Sequence, residues 1–209
     1  MTMKNDRKKL SKAGFDRDAS GYDQSTKYAA VRAGYRSIAD EALRSKFKTW
    51  LDIGCGTGAF LLMLGQQIED AKLFGIDLSD QMIKVARTKL GEKADLRVSD
   101  SEELPFENEQ FDLITCTYSF HHYPNPVATL MEMRRVLSPT GRIIIADPTI
   151  FAPLRQIINL LVPAMKDGTV RCYSKKEMRH LVESVGLVVS KWSKLNWHQY
   201  MMVCGRGAQ

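Results

Sequence analysis

The run Leu51-Asp52-Ile53-Gly54-Cys55-Gly56-Thr57-Gly58 constrains this chain more than any other segment. A short apolar stretch ends in a glycine cluster, and residues 59–68 then read as helix. Glycines at a strand-to-helix junction permit a tight turn and let a ligand approach the backbone without meeting a Cβ. The helix that follows adds N–H groups with no intrahelical acceptor. The alternation continues downstream. Residues 72–76, 96–98, 111–116 and 142–146 read as strands, and 79–90 and 126–137 as helices. Ser79 and Asn125 stand at N-cap positions, with Pro126 in a first turn. Strands alternating with helices predict crossover connections and a parallel sheet. The strand runs lack polar alternation, as expected when both faces are covered.

The flanking segments differ in character. Residues 1–14 are mostly charged or polar, which predicts a mobile basic arm. Over 25–47, Tyr28, Val31, Tyr35, Ile38, Ala42 and Leu43 recur at helical spacing. Residues 149–172 interrupt the rhythm. There Ile150, Leu154, Ile157, Ile158 and Leu161 make one apolar face, fenced by Pro153 and Pro163, and predict an inserted helix. Ser174 and Glu177 form a capping box, and Gly186 ends that last helix. The runs 187–195 and 198–204 read as an antiparallel hairpin. A chain of 209 residues is then one domain at 15–209 behind the arm, with lid helices at 15–47 and a cap at 149–172.

Composition excludes several classes. Cys55, Cys116, Cys172 and Cys204 form no C-x-x-C pair, so no zinc ribbon or redox motif is present and no metal is expected. The start MTMKNDRKKL lacks an apolar h-region, and the longest apolar stretch falls far short of the ~18 residues of a membrane span. A cytoplasmic protein with reduced thiols is expected. The net charge of +6 is uneven: residues 51–130 carry 13 acidic and 6 basic side chains, and both flanks are basic.

Asp52, Asp77 and Asp100 each fall at the C-terminal end of an expected strand. In open α/β sheets that edge holds the ligand crevice. Asp77, 23 residues after Gly54, is placed to accept hydrogen bonds from two ribose hydroxyls. Asp52 separates two ligand classes. A carboxylate just before the first glycine repels a pyrophosphate and favours a cationic sulfonium and ammonium. The acidic middle of the chain agrees in sign.

These segments resemble the class I S-adenosylmethionine-dependent methyltransferases, in the broad group that includes ubiquinone- and menaquinone-biosynthesis methyltransferases. The resemblance runs from about Phe15 to Gly205. LDIGCGTG at 51–58 is similar to the family's first motif, GIDLS at 75–79 to the second and SDSEELPF at 99–106 to the third. FDLITCTYSFHHYPNP at 111–126 resembles the fourth. LSPTGRIII at 137–145 is similar to the turn before strand five, departing at Ser138 and Thr140. FDRDASGYD at 15–23 resembles the segment that closes over the cofactor.

The resemblance implies an α/β, Rossmann-like doubly wound sheet of seven strands, ordered 3-2-1-4-5-7-6, with strand 7 antiparallel and helices on both faces. It implies S-adenosyl-L-methionine as cofactor, S-adenosyl-L-homocysteine as product and in-line displacement at the methyl carbon. Gly54, Gly56 and Gly58 are implied to pass the methionine portion closely, with Cys55 a small loop residue among them. Asp52 is implied to help hold its ammonium through the loop or water, and a backbone carbonyl near Thr117 to accept from the same group. Asp77 is implied at the ribose, Asp100 and Ser101 near the adenine, and Leu78 and Met82 packed on the adenosine.

The acceptor side is less specified. His121 and His122 follow the fourth strand, where a histidine could deprotonate a hydroxyl or amine; shaping the loop is the competing role. Tyr22 and Tyr28 are lid candidates, although Tyr28 also fits the buried face of its helix. Arg155, Lys166 and Arg171 would suit an acidic acceptor or form a solvated face. The insert's apolar face would cover an apolar acceptor or dock a second copy in a homodimer. The expected function is methyl transfer to a small molecule. An RNA or DNA methyltransferase is disfavoured, because TYSFHH at 117–122 lacks an Asn/Asp-Pro-Pro-aromatic motif and Cys116 follows threonine rather than proline. A non-catalytic S-adenosylmethionine-binding protein is the other alternative.

Overall fold

The computed structural model describes residues 3–165 and 168–207. Its strands are β1 (Thr49–Ile53), β2 (Lys72–Asp77), β3 (Ala94–Val98), β4 (Phe111–Thr117), β5 (Leu137–Pro148), β6 (Leu187–Asn196) and β7 (Gln199–Arg206). They form one sheet in the order β3-β2-β1-β4-β5-β7-β6. The first five pair in parallel, and β7 runs antiparallel to both β5 and β6. This is the topology the resemblance implies.

Apolar side chains on consecutive residues let each central strand serve two cores. Trp50 and Ile144 point to one face, covered by α2 (Ala29–Ala42), α3 (Ala59–Gly65) and α4 (Asp80–Leu90) through Ile38, Phe60 and Ile83. Leu51, Ile143 and Ile145 point to the other, covered by α5 (Pro126–Val136) and α7 (Lys175–Ser184) through Met133 and Met178. The expected caps form. Ser79 Oγ accepts from Met82 N at 3.0 Å, Asn125 caps α5, and Ser174 with Glu177 closes a capping box. The turn expected at 137–141 is absorbed into β5, where the register jumps from Phe111↔Leu137 to Leu113↔Arg142.

One expectation is corrected. Of the mobile arm expected at 1–14, residues 3–14 lie within a helix, α1 (Met3–Asp18), and residues 1–2 lie outside the described residues. Apart from Phe15, which meets the Tyr22 and His122 rings, the helix's anchoring contacts are polar, which is why hydropathy did not reveal it. Arg7 donates to the carbonyls of Met165 and Val162, Lys8 pairs with Asp100, and Ser11 is buried. The inserted helix, α6 (Leu154–Leu161), forms but buries none of its residues. Its Ile157, Leu160 and Leu161 face outward, with Phe151 just before them. Arg171 and Arg155 both turn to Glu177, the latter at 3.9 Å, and Lys166 lies outside the described residues. Among the described residues, no helix is long and apolar enough to cross a membrane.

Candidate active site

The glycine loop is fixed before it meets any ligand. Gly54 N and Cys55 N both donate to Ile76 O, at 2.8 and 2.9 Å, tying the end of β1 to the end of β2. Gly56 N donates to Asp77 Oδ2 at 2.9 Å, and Ser79 N to Asp77 Oδ1 at 2.8 Å. Burial pushes the Asp77 carboxyl up to about 6, partly offset by those N–H donors. Gly54 and Gly56 hold φ of 72° and 53°, a left-handed backbone that costs other residues roughly 1–2 kcal/mol. A Cβ on Gly56 would meet no atom within 4 Å and would project into open space.

That space belongs to a cleft over the strand ends. Gly54, Cys55, Gly56, Asp77, Leu78, Met82, Asp100, Ser101, Thr117, Tyr22 and His122 all line it. Asp52 and Gly58 do not. Asp52 is 0% exposed beneath the loop, where its Oδ1 accepts from Thr115 Oγ1 at 2.6 Å. Trp50 Nε1 in turn donates to Thr115 Oγ1 at 2.8 Å. Asp52 Oδ2 is buried without a partner among the described residues, and burial raises the carboxyl to about 7. Gly58 serves packing, since a Cβ there would lie 2.8 Å from Leu90 of α4.

A lid of charged residues covers the cleft. Lys8, Ser11, Lys12 and Phe15 of α1 line it. Lys8 Nζ stands 2.6 Å from Asp100 and 2.9 Å from Glu102, and Ser79 Oγ donates to Asp16 at 2.6 Å. Behind them, Asp23 accepts from Thr57 Oγ1 at 2.7 Å and pairs with Lys89. Sequence reasoning missed these anchors. The available signal was the helical spacing of Lys8, Ser11, Lys12 and Phe15 on one face.

A second cavity shares Phe15, Tyr22, Val31, Tyr118 and His122 with the first. Tyr28 lies here, in the lid rather than in a core. It stacks on Tyr22 at 3.9 Å, and its hydroxyl donates to Asp18 at 2.7 Å. His121 also lines this cavity, with Nδ1 at 2.7 Å from Asp147 Oδ1. His122 stands in the shared wall, edge-on to Phe15, and burial pushes it well below its ordinary value, so it stays neutral. His198 and Gln199 line the far side. Arg155 and Arg171 line neither cavity. Asp147, His198 and Gln199 escaped sequence reasoning, because the end of β5 and the hairpin reach the site only through sheet pairing; Tyr118, directly after β4, was missed as well.

Comparisons with known proteins follow the same lines. A family model described as a methyltransferase domain matches residues 51–145. The chain is 30% identical over 162 residues to a demethylmenaquinone methyltransferase of Deinococcus radiodurans, covering 76% of this chain and 61% of that protein. It is 32% identical over 112 residues to a Staphylococcus aureus protein of the same name, covering 52% and 46%. The chain thus spans about half to three fifths of these curated relatives. Among solved structures it resembles a putative methyltransferase of Haloferax volcanii, seen in complex with the Trm112 methyltransferase activator. There the TM-score is 0.81 at 18% identity, over 95% of this chain and 98% of that one. It also resembles the 1,6-didemethyltoxoflavin-N1-methyltransferase of Burkholderia thailandensis, solved with 1,6-didemethyltoxoflavin and S-adenosylhomocysteine. That match has a TM-score of 0.77 at 17% identity, over 100% and 92% of the two chains. At such identities the structural likeness shows the fold.

Proposed function

Because the chain carries a class I S-adenosylmethionine-dependent methyltransferase domain, we propose that it transfers a methyl group to a small molecule held in the second cavity. The residues present suit the cofactor. The open space at Gly56 leaves room beside the loop backbone, and Asp52 Oδ2 lies beneath it as a buried acceptor without a partner among the described residues. Asp77 would hold the ribose, Asp100 and Ser101 would face the adenine, and Leu78 and Met82 would pack the adenosine. Cys55 and the carbonyl near Thr117 would border the methionine portion.

When bound, the cofactor supplies a sulfonium-activated methyl group, so the chain's work is binding, orientation, exclusion of water and proton uptake. The lid formed by α1, Tyr22 and Tyr28 excludes water. The observation that carries this reading is the wall shared by the two cavities, which lets donor and acceptor meet beside His122 and Tyr118. His121, beside Asp147, is the general base; His122, neutral and buried, shapes the wall. Arg155 and Arg171 are occupied by Glu177, so this acceptor site does not include them. The outward face of α6 is where a second copy would dock in a homodimer, and the setting is cytoplasmic.

The test is a metabolite extract incubated with labelled S-adenosylmethionine, read by mass spectrometry of the labelled product. Cofactor binding by calorimetry with transfer to no acceptor would instead make the chain a binding protein. General bases typically contribute 10²–10⁴-fold, so His121→Ala should lower turnover about 100-fold or more at saturating acceptor. Full turnover in both His121→Ala and His122→Ala would refute a histidine base.

A further inference from the structure

The two cavities differ in charge. Asp77 and Asp100 line the cofactor cleft. The second cavity carries Arg17, Asp18 and Lys27 where the end of α1 meets residues 26–28, and Asp18 is its one lining carboxylate among the described residues. Asp18 is already saturated. Its Oδ2 accepts from Lys27 Nζ at 2.8 Å and from the Tyr28 hydroxyl at 2.7 Å, and its Oδ1 accepts from Arg17 Nε at 3.3 Å. The bond from Lys27, then that from Tyr28, holds the carboxyl down to about 2, so it stays ionised. One positive charge among these three groups is left unbalanced. Arg17 is the open member, with a side chain 75% exposed. Its Nε is tied to Asp18, and its two terminal amino groups have no hydrogen-bond partner among the described residues. Those two groups form a fork that matches both oxygens of a carboxylate.

A second observation points to a polar ligand in the same cavity. His198 sits in the turn between β6 and β7, where its N–H donates to Asn196 Oδ1 at 3.0 Å and its carbonyl accepts from Thr149 N at 2.8 Å. The backbone is thus fixed on both sides. The residue lines the cavity, yet its Nδ1 is buried without a partner among the described residues. A buried polar atom left unpaired costs free energy that a hydrogen-bonding ligand recovers. Arg17, Lys27 and His198 line the second cavity and not the cofactor cleft. Recognition by them therefore stands apart from the shared wall at Tyr118 and His122. A net positive lining attracts anions, and it offers an ammonium group no open carboxylate.

We propose that the second cavity selects a small-molecule acceptor bearing a carboxylate, and that Arg17 is the specificity-determining residue that pairs with it. This rests on the methyltransferase reading above. The carboxylate is a handle for binding at the α1 edge, and the atom that is methylated lies elsewhere in the acceptor, toward the shared wall. The stacked Tyr22 and Tyr28 rings give that cavity an aromatic side against which the body of such an acceptor can pack.

Benzoate, benzamide and benzylamine test this, because they share a ring and differ in charge. Their binding to the full chain is read by ligand-observed NMR titration, with S-adenosylhomocysteine present to fill the cofactor cleft. Benzoate should bind about 5-fold tighter than benzamide, with benzylamine weakest. Arg17→Gln should abolish that preference and leave benzamide binding unchanged, and Arg17→Lys, which keeps the charge, should retain most of it. Raising salt from about 0.05 to 0.5 M should erode the preference and leave benzamide unmoved. In the chain labelled with ¹⁵N-histidine, the His198 ring signals, assigned by their loss in His198→Gln, should shift on adding benzoate. Benzoate bound no tighter than benzamide or benzylamine overturns the proposal, as does a preference that survives in Arg17→Gln or a His198 ring that does not respond. Equal loss of benzoate and benzamide binding in Arg17→Gln would mean a merely structural role and overturn it too. These titrations involve no methyl transfer. Failure of the wild type to bind S-adenosylmethionine in calorimetry would instead count against the underlying methyltransferase reading.

Discussion

Two glycines of one loop should fail in different ways when replaced by alanine. Gly54→Ala places a Cβ 2.5 Å from Ser119 Oγ, 2.6 Å from Ser119 Cβ and 2.9 Å from the Tyr123 hydroxyl. Ser119 cannot yield cheaply. Its Oγ donates to Ile53 O at 3.1 Å and accepts from the Tyr123 hydroxyl at 2.9 Å. Overpacking of this kind costs roughly 1–3 kcal/mol, and the left-handed backbone adds about 1–2 kcal/mol. The sum is a destabilisation of about 2–5 kcal/mol, or roughly 4–20 °C in Tm at 2–4 °C per kcal/mol for a chain of this size. Gly56→Ala meets nothing, so only the backbone term remains and Tm should fall by roughly 2–8 °C. Its Cβ instead occupies space the cofactor would use. Thermal melts followed by calorimetric titration with S-adenosylmethionine separate the two. Gly54→Ala should be the less stable protein, whereas Gly56→Ala should lose affinity out of proportion to its stability. A Gly54→Ala variant as stable as Gly56→Ala would refute the account of the loop.

Other outcomes follow from the lid and the buried carboxylates. Asp23→Ala removes the contacts to Thr57 and Lys89, and should weaken S-adenosylmethionine binding about 10-fold by calorimetry, equivalent to roughly 1.4 kcal/mol. Lys8→Ala should raise hydrogen exchange across residues 5–18 while moving the global Tm by no more than about 4 °C, because partly exposed ion pairs contribute about 1 kcal/mol or less. Asp52, raised to about 7 by burial, keeps its proton in the folded state but loses it in the unfolded state above about 4. Stability from this group therefore falls as pH rises from about 4 to 7. The Tm of Asp52→Asn relative to wild type should accordingly climb over that interval; a flat difference would show that Asp52 is ionised throughout.

The alternation of apolar strands with capped helices was legible in the sequence, because each is specified by neighbours in the chain. Ser79, Asn125 and the Ser174–Glu177 box cap their helices through contacts within a few residues. The glycine loop was legible for the same reason, since a strand, a turn and a helix in sequence need no distant partner. Asp77 could be placed at the cleft because it ends a strand adjacent to that loop.

Other features depended on residues far apart in the chain. Helix α1 has a strongly polar sequence and reads as an arm until Lys8 meets Asp100, 92 residues away. Arg155 and Arg171 read as free cations until Glu177 approaches from α7. Asp147 is one more strand-end carboxylate until sheet pairing brings β5 under the turn that carries His121. Periodicity and capping act over a few residues, so the sequence alone determined the layered sheet and its glycine-lined ligand edge. Ion pairing and burial of lone carboxylates depend on distances across the fold, so only the tertiary structure decided the lid, the second cavity and the partner of the histidine.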